Sequence, residues 1–249
     1  AVSSAQNIIK CCKRCNLDVS GMVLEQVASS EAVLSQDEKD IGVVLIDIGG
    51  GTTDMAIFID GAITHTAVIP IGGDHLTSDL VNCLRTSARE ADILKIRYGS
   101  CMVDLVPGDE QIDVPGVGGR ESSPMSRQVM VQYLEARTLE LLEYVKNELQ
   151  RSGYEELVAA GLVITGGTSL LEGMVELAEQ TFDGLPVRRG YPQGVDGLVD
   201  VVSSPIYATG VGLLLYGKNN QHTSAVAHSI NEDHQGLWHK MRQWFGDTK

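Results

Sequence analysis

The chain has no basic excess: 19 Lys and Arg stand against 33 Asp and Glu, a formal net charge of −14. A surface of that sign repels a polyphosphate backbone, which excludes nucleic acid as a general partner. Long hydrophobic runs are also missing. No stretch reaches the roughly 20 apolar residues that a spanning helix needs, and no signal-peptide pattern opens the chain. Aromatic residues make up only 5%, and both tryptophans, Trp238 and Trp244, fall near the end. Five cysteines, an odd number without regular spacing, argue against a disulfide framework and for reduced thiols. Cys12-Lys-Arg-Cys15 has the CxxC form, but it lies in an amphipathic helical pattern and no second ligand pair accompanies it. What is present suits a folded helix-and-strand protein: 249 residues, 43% of them hydrophobic. Ala1 stands inside a helix-like pattern without an initiator methionine, so the chain reads as a fragment.

The most informative stretch runs from Val43 to Ile59, Val-Val-Leu-Ile-Asp47-Ile-Gly49-Gly50-Gly51-Thr52-Thr53-Asp54-Met-Ala-Ile-Phe-Ile. Two short apolar runs rich in β-branched residues, joined through three glycines, read as a hairpin whose turn lets backbone N–H groups come close to a ligand. Successive glycine amides can form an anion-binding nest, to which the hydroxyls of Thr52 and Thr53 add donors. A Walker A loop would need Gly-Lys-Ser/Thr before a helix, and a dinucleotide fingerprint would need a third glycine where Asp54 stands; both fail. Asp47 and Asp54 accept only when ionised and repel phosphate, so they suit a hydrated Mg²⁺ that bridges to it. An ordinary glycine hairpin with a capping aspartate has the same local pattern.

Elsewhere the order is mixed α/β. A helix covers Ser4 to Asn16, a short strand Val23-Leu24, and a small-residue helix Ala28 to Leu34. Ala62 to Ile71 reads as a strand pair, and Gly72-Gly73-Asp74 opens a helix to about Leu84. Ser87 and Glu90 form a capping box for a helix that Gly99 ends as a C′ glycine. Short strands and loops fill Ser100 to Pro124, and a long amphipathic helix spans Ser126 to Ser152. Gly161 to Gly173 reads as a buried strand, a Gly166-Gly167 turn and a helix started by a Ser169/Glu172 capping box, an arrangement that suits a nucleoside. Strand-Gly-Gly-helix joints are also common structural connections. Pro205 and Gly217 bracket a helix whose Ala208, Gly210 and Gly212 leave little side chain on one side, as a hinge or a tight static crossing requires. After it, 218–235 is polar and reads as a linker. Residues 236–249 then place Leu237, Trp238, Met241, Trp244 and Phe245 on one helical face with His and cations on the other. Such a helix is too short to span a bilayer and suits an anionic membrane surface, where many tails on a polymer bind more firmly than one.

A DxGGGTTD loop, a later xTGGTS turn and a closing helix of small residues, in that order, resemble the actin, Hsp70 and sugar-kinase superfamily of ATPases. Within it, Asp47 to Asp54, His65 to His75, Gly116-Val-Gly-Gly-Arg120 and Ser204 to Gly217 are similar to the bacterial cell-division FtsA family. The resemblance implies an incomplete α/β actin/Hsp70-like (ribonuclease-H-like) ATPase fold. In it, 1–34 is a remnant of the first subdomain, to which 205–217 returns. Residues 35–71 and 160–204 bind phosphate and adenosine, and 72–159 is a smaller inserted subdomain.

The cofactors implied are ATP and Mg²⁺. Gly49, Gly50, Gly51, Thr52 and Thr53 would hold the phosphates, and Gly166 and Gly167 would pack on adenosine. Asp92 and Lys95 would meet ribose and adenine, on one helical face by their spacing, though such a pair is also an ordinary surface ion pair. Asp47 and Asp54 would hold the metal through water, with Gln26 orienting the attacking water for at most weak hydrolysis. The first phosphate loop of the family is missing, so weak ATP affinity is expected of this chain alone. Arg127, Arg137 and Glu140 lie where the family receives the C-terminal tail of FtsZ, and an ordinary solvated helix face is the competing reading.

The implied role is a scaffold on the cytoplasmic side of the inner membrane at the division site. It would self-associate into filaments and recruit other divisome proteins. A PilM-type pilus-assembly homologue and a sugar-kinase-like phosphotransferase stay open as alternatives.

Overall fold

A computed structural model describes residues 2–196 and 199–220. Its centre is a five-stranded sheet in the order β3-β2-β1-β6-β7. Strands β1 (Val43–Ile48), β2 (Thr53–Ile59) and β3 (Ala62–Ile69) form an antiparallel meander, while β6 (Leu162–Thr165) runs parallel to β1 and β7 (Val187–Arg189) parallel to β6. All six residues of β1 are buried, as expected for a strand covered on both faces. Its alternate side chains feed two cores. Val44, Ile46 and Ile48 join Met55, Ile57 and Ile164 under a helical layer, and Val43 and Leu45 join Ala56, Phe58 and Val163 on the opposite face. The β2–β3 connection is a tight turn with Asp60 and Gly61 both at positive φ, 51° and 77°, a geometry matched to the twist of a hairpin.

The larger core packs α4 (Gly73–Leu84), α5 (Ala88–Tyr98), α6 (Arg127–Ser152) and α7 (Met174–Thr181) against the sheet, with Leu76, Leu80, Leu134, Leu141 and Leu142 fully buried or nearly so. A small hairpin of β4 (Gln111–Val114) and β5 (Ser123–Ser126) precedes α6. The smaller core lies under α2 (Glu25–Val33) and a closing helix at 208–220. The N-terminal helix α1 (Val2–Arg14) is followed by an extended segment in which Leu17, Met22 and Leu24 are exposed.

Several local expectations change. Val23-Leu24 forms no strand, and 62–71 holds the single strand β3 rather than a pair. The six-residue α3 (Gln36–Ile41) is short enough to show little periodicity, although its Ser35/Glu38 capping box is complete. At α5 the box is half made: Ser87 Oγ accepts from the Glu90 amide, and no return bond forms. Gly99 is not in the left-handed region (φ −69°), and a Cβ there would stand 2.2 Å from the Lys95 carbonyl oxygen. The left-handed C-terminal glycine is Gly153, after α6.

No helix starts at Ser169. Residues Gly167–Leu170 make a 3-10 turn, and α7 begins at Met174 behind Gly173 at positive φ. The reason is competition for carbonyls, because Arg189 Nε donates to the Ser169 carbonyl and Ser169 Oγ turns back to the Gly166 carbonyl. Gly217 keeps a negative φ, and the closing helix runs through it to 220.

The small residues of that helix are not equivalent. A Cβ on Gly210 would meet nothing within 4 Å, whereas one on Gly212 would fall 1.8 Å from the Ala28 carbonyl oxygen of α2. Gly212 therefore sets the crossing distance of the two helices. Gly212→Ala should cost at least about 2–3 kcal/mol in urea unfolding, because backbone must move. Gly210→Ala should be neutral or slightly stabilising.

Candidate functional site

The loop Gly49–Thr52 leaves the C-terminal end of β1 and is closed by a 3.0 Å bond from the Gly49 amide to the Thr52 carbonyl. It brings Asp47 and Asp54 directly opposite each other on β1 and β2. Opposed like charges on neighbouring strands destabilise a sheet, and these two side chains are also almost wholly buried. Each is met by donors from elsewhere. Asp47 Oδ2 accepts from Ser29 Oγ at 2.6 Å and from Thr209 Oγ1 at 3.3 Å, and Asp54 accepts from Gln26 Nε2 at 2.8 Å and Thr52 Oγ1 at 3.2 Å. Burial still pushes both carboxyls above the usual aspartate range, with the Asp54 charge adding to the rise at Asp47. Glu25 beside them is raised too, first by burial and then by Asp54 and Asp47.

Among the described residues no cluster of three His, Cys, Asp or Glu side chains is placed to hold a metal on protein ligands alone. A magnesium ion that keeps most of its waters and shares phosphate oxygens needs only one or two carboxylates, and this pair fits that chemistry.

Beside the acidic corner lies a cavity of about 680 Å³, within the usual range for small-ligand sites. Two glycine turns face each other across it, Gly49-Gly50 after β1 and Gly167-Thr168 after β6, at the carboxyl ends of the two central parallel strands. Thr168 Oγ1 donates to the Gly49 carbonyl at 3.0 Å and stitches the turns together. Gly166 is held close to Asp47, since a Cβ there would stand 2.5 Å from Asp47 Oδ1. The rim carries Lys95, whose Nζ donates to Thr77 Oγ1 at 2.7 Å and the Gly73 carbonyl at 3.0 Å and pairs with Asp92 at 2.8 Å. The Lys95 hydrogen bond and charge hold the Asp92 carboxyl below its ordinary value. Ile96, Leu170 and Ile206, all exposed, supply apolar wall on which a flat base could rest.

The structure thus gathers Gly49, Gly50, Lys95 and Gly167 around one cavity, with Asp92 holding Lys95 and Gly166 beside Asp47. Gly51 and Thr52 sit at the exposed tip of the loop. The two threonines of the loop have partners within the chain. Thr53 is wholly buried and its hydroxyl donates to the Ile71 carbonyl, while the Thr52 hydroxyl is turned to Asp54.

Arg127, Arg137 and Glu140, expected to face a partner, are all engaged within the chain. Arg127 lies against the cavity and donates to the Tyr98 carbonyl, Glu110 and Glu172. The fork of Arg137 is occupied by Asp79 of α4, with Glu140 on its remaining side. Neither arginine is a free cation. Leu237, Trp238, Met241, Trp244 and Phe245 lie outside the described residues. Sequence reasoning missed Ser29, Thr209 and Thr168. Only Thr168 carried a signal, as the residue after two glycines.

This sheet with its glycine-lined cleft is an actin-like ATPase fold. It superposes on MreB5 of Spiroplasma citri bound to ADP with a TM-score of 0.69 at 18% identity, covering 89% of this chain and 67% of that one. It also superposes on a chain of the PilM-PilN type IV pilus biogenesis complex with a TM-score of 0.66 at 17% identity, covering 86% and 57%. Within that class the chain belongs to the FtsA family of cell division proteins, whose profile matches residues 44–212. It is 50% identical to the cell division protein FtsA of Pseudomonas aeruginosa over 98% of this chain and 60% of that protein. Against that of Escherichia coli K12 the identity is 40% over 87% and 53%. The chain therefore spans a little over half the length of these curated relatives.

The raised carboxyls have a consequence for stability. A folded-state pKa above the unfolded one means that stability is greatest at low pH and falls as pH rises through the folded value. Asp54→Asn should accordingly stabilise the chain by about 1 kcal/mol in urea unfolding at pH 7, and the gain should shrink towards pH 4.

Proposed function

We propose that the chain forms one wall of an ATP site in a division scaffold that ties the FtsZ ring to the cytoplasmic membrane. One observation carries the nucleotide part: two glycine turns at the ends of parallel strands, stitched by Thr168, line a cavity that also takes in Lys95, and the first of those turns joins the strands that carry Asp47 and Asp54. The loop from Gly49 to Thr53 would hold the phosphates through amides other than that of Gly49, which closes the loop, and Gly166 and Gly167 would let adenosine lie against the backbone. Lys95 and Asp92, paired with each other, would form the polar end of the cavity beside the ribose and base. Asp47 and Asp54 would hold hydrated Mg²⁺, which when bound supplies charge neutralisation to the phosphates. Gln26, whose amide nitrogen is given to Asp54, keeps its carbonyl to orient a water but cannot itself take a proton from it, in keeping with slow hydrolysis.

The scaffold part draws on family membership and on the residues after 220. FtsA homologues are cell division proteins by name, and no helix among the described residues is long and apolar enough to cross a membrane. Attachment is assigned to 236–249, lying in the headgroup layer through Leu237, Trp238, Met241, Trp244 and Phe245. Filament formation would multiply that weak anchor. FtsZ, through its C-terminal tail, and other divisome proteins are the partners of the whole protein, which works peripherally on the inner face of the membrane at the division site. The FtsZ contact is not assigned to Arg127 or Arg137.

Photolabelling with 8-azido-ATP tests the nucleotide reading even at weak affinity. ATP-competable adducts should fall near Ile96 and Leu170, and Lys95→Ala should reduce them at least about tenfold. Adducts confined to other segments overturn the reading. Deleting 237–249 should abolish cosedimentation with phosphatidylglycerol vesicles while leaving photolabelling intact, and retained cosedimentation overturns the anchor.

A further inference from the structure

The acidic corner is reached by two hydroxyls that no feature of the loop accounts for. Ser29 comes from α2 and Thr209 from the closing helix at 208–220, and they are separated by 180 residues in the chain. Ser29 is wholly buried, and its Oγ stands 2.6 Å from Asp47 Oδ2 and 3.0 Å from Thr209 Oγ1. Thr209 Oγ1 is also 3.3 Å from Asp47 Oδ2 and 3.4 Å from Glu25 Oε1.

A hydroxyl has one proton to donate and two lone pairs to offer. The shortest contact commits the Ser29 proton to Asp47, so the one Thr209 proton is shared among Ser29 Oγ, Asp47 Oδ2 and Glu25 Oε1, and Thr209 supports Asp47 either directly or through Ser29. Every hydrogen bond to the Asp47 side chain among the described residues goes to Oδ2, and Oδ1 lies against Gly166. The pair therefore fixes which carboxylate oxygen points away from the helices and which is engaged by them. It can do so only because Gly212 lets the closing helix touch the backbone of α2.

We propose that Ser29 and Thr209 are positioning residues for Asp47: together they lock its carboxylate so that Oδ1 is presented to a hydrated divalent cation at the phosphate loop. This rests on the nucleotide reading above and goes beyond it by assigning the metal geometry to two helices outside the loop. Outer hydrogen bonds of this kind orient a ligating group, and their loss weakens metal binding by roughly 10–100-fold.

The test is the Mg²⁺ dependence of ATP-competable 8-azido-ATP labelling. Thr209→Val keeps the shape and removes the hydroxyl, and Ser29→Ala removes the other. Each should raise the Mg²⁺ concentration for half-maximal labelling about tenfold or more, with maximal labelling near Ile96 and Leu170 unchanged. Thr209→Ser should restore the original dependence, which a loss of packing alone would not predict. Unchanged Mg²⁺ dependence in folded Thr209→Val, or in folded Ser29→Ala if the valine variant does not fold, overturns the proposal while leaving the nucleotide reading in place. Absence of ATP-competable labelling in the unaltered chain overturns both.

Discussion

Two carboxylates placed opposite each other on neighbouring strands, both out of solvent, form the constraint around which the rest of this structure is organised. Asp47 and Asp54 gain nothing from each other, and a sheet selected for stability alone would carry apolar or oppositely charged side chains there. Their surroundings answer the strain one contact at a time. Gln26 must lie buried on α2 to reach Asp54, Ser29 must sit one helical turn further along to reach Asp47, and the closing helix must cross near enough to add Thr209. The crossing in turn demands a glycine at 212, and the Asp47 side demands one at 166. Five positions in three segments are thus fixed by two charges, an arrangement whose natural complement is a cation.

A second dependence runs through Lys95. In a chain of net charge −14, Lys95 stands with Arg97 and Arg127 on the wall of this cavity, a local gathering of positive charge. Its three donors are spent on the Gly73 carbonyl, the Thr77 hydroxyl and Asp92, so its position is set by the first turn of α4 and by its own helix. The same turn of α4 is held by amide bonds from Gly73 and Asp74 to the Gly49 and Gly50 carbonyls. The glycine loop, the head of α4 and the lysine therefore form one hydrogen-bonded unit. That unit is what gives the cavity a fixed polar end opposite its apolar wall.

The glycine loop, the β1–β2 hairpin and the long helix were legible because each carries a signal that depends only on near neighbours: β-branched runs, triple glycine, a sustained helical period. Asp47 and Asp54 were legible as a pair for the same reason, since a short turn forces residues at the mouths of two strands to face each other. Ser29 and Thr209 were not, because their meaning comes from a crossing of segments 180 residues apart, and a serine in a small-residue helix looks like any other. Thr53 shows the opposite case. Its neighbours suggested a phosphate donor, but alternation along β2 turns its side chain towards Ile71. The helix expected from Ser169 illustrates local preference giving way to tertiary contacts, since Arg189 on β7 takes the carbonyl the helix would have used.

Arg127 and Arg137 carry a related lesson about surface charge. Each looked, on the amphipathic pattern of α6, like a cation waiting for a carboxylate on another protein. Each already has one within the chain. Arg127 joins the start of α6 to Glu110, to Glu172 before α7 and to the end of α5, so it closes the far side of the cavity. Arg137 ties α6 to α4 through both nitrogens of its fork. Recruiting either to an outside partner would mean breaking a bidentate or multiply bonded pair and leaving a partly buried carboxylate uncompensated, which costs more than a rim contact returns. Within the chain Arg127 holds the cavity wall and Arg137 holds α6 to α4, and an outside partner would have to compete with those bonds.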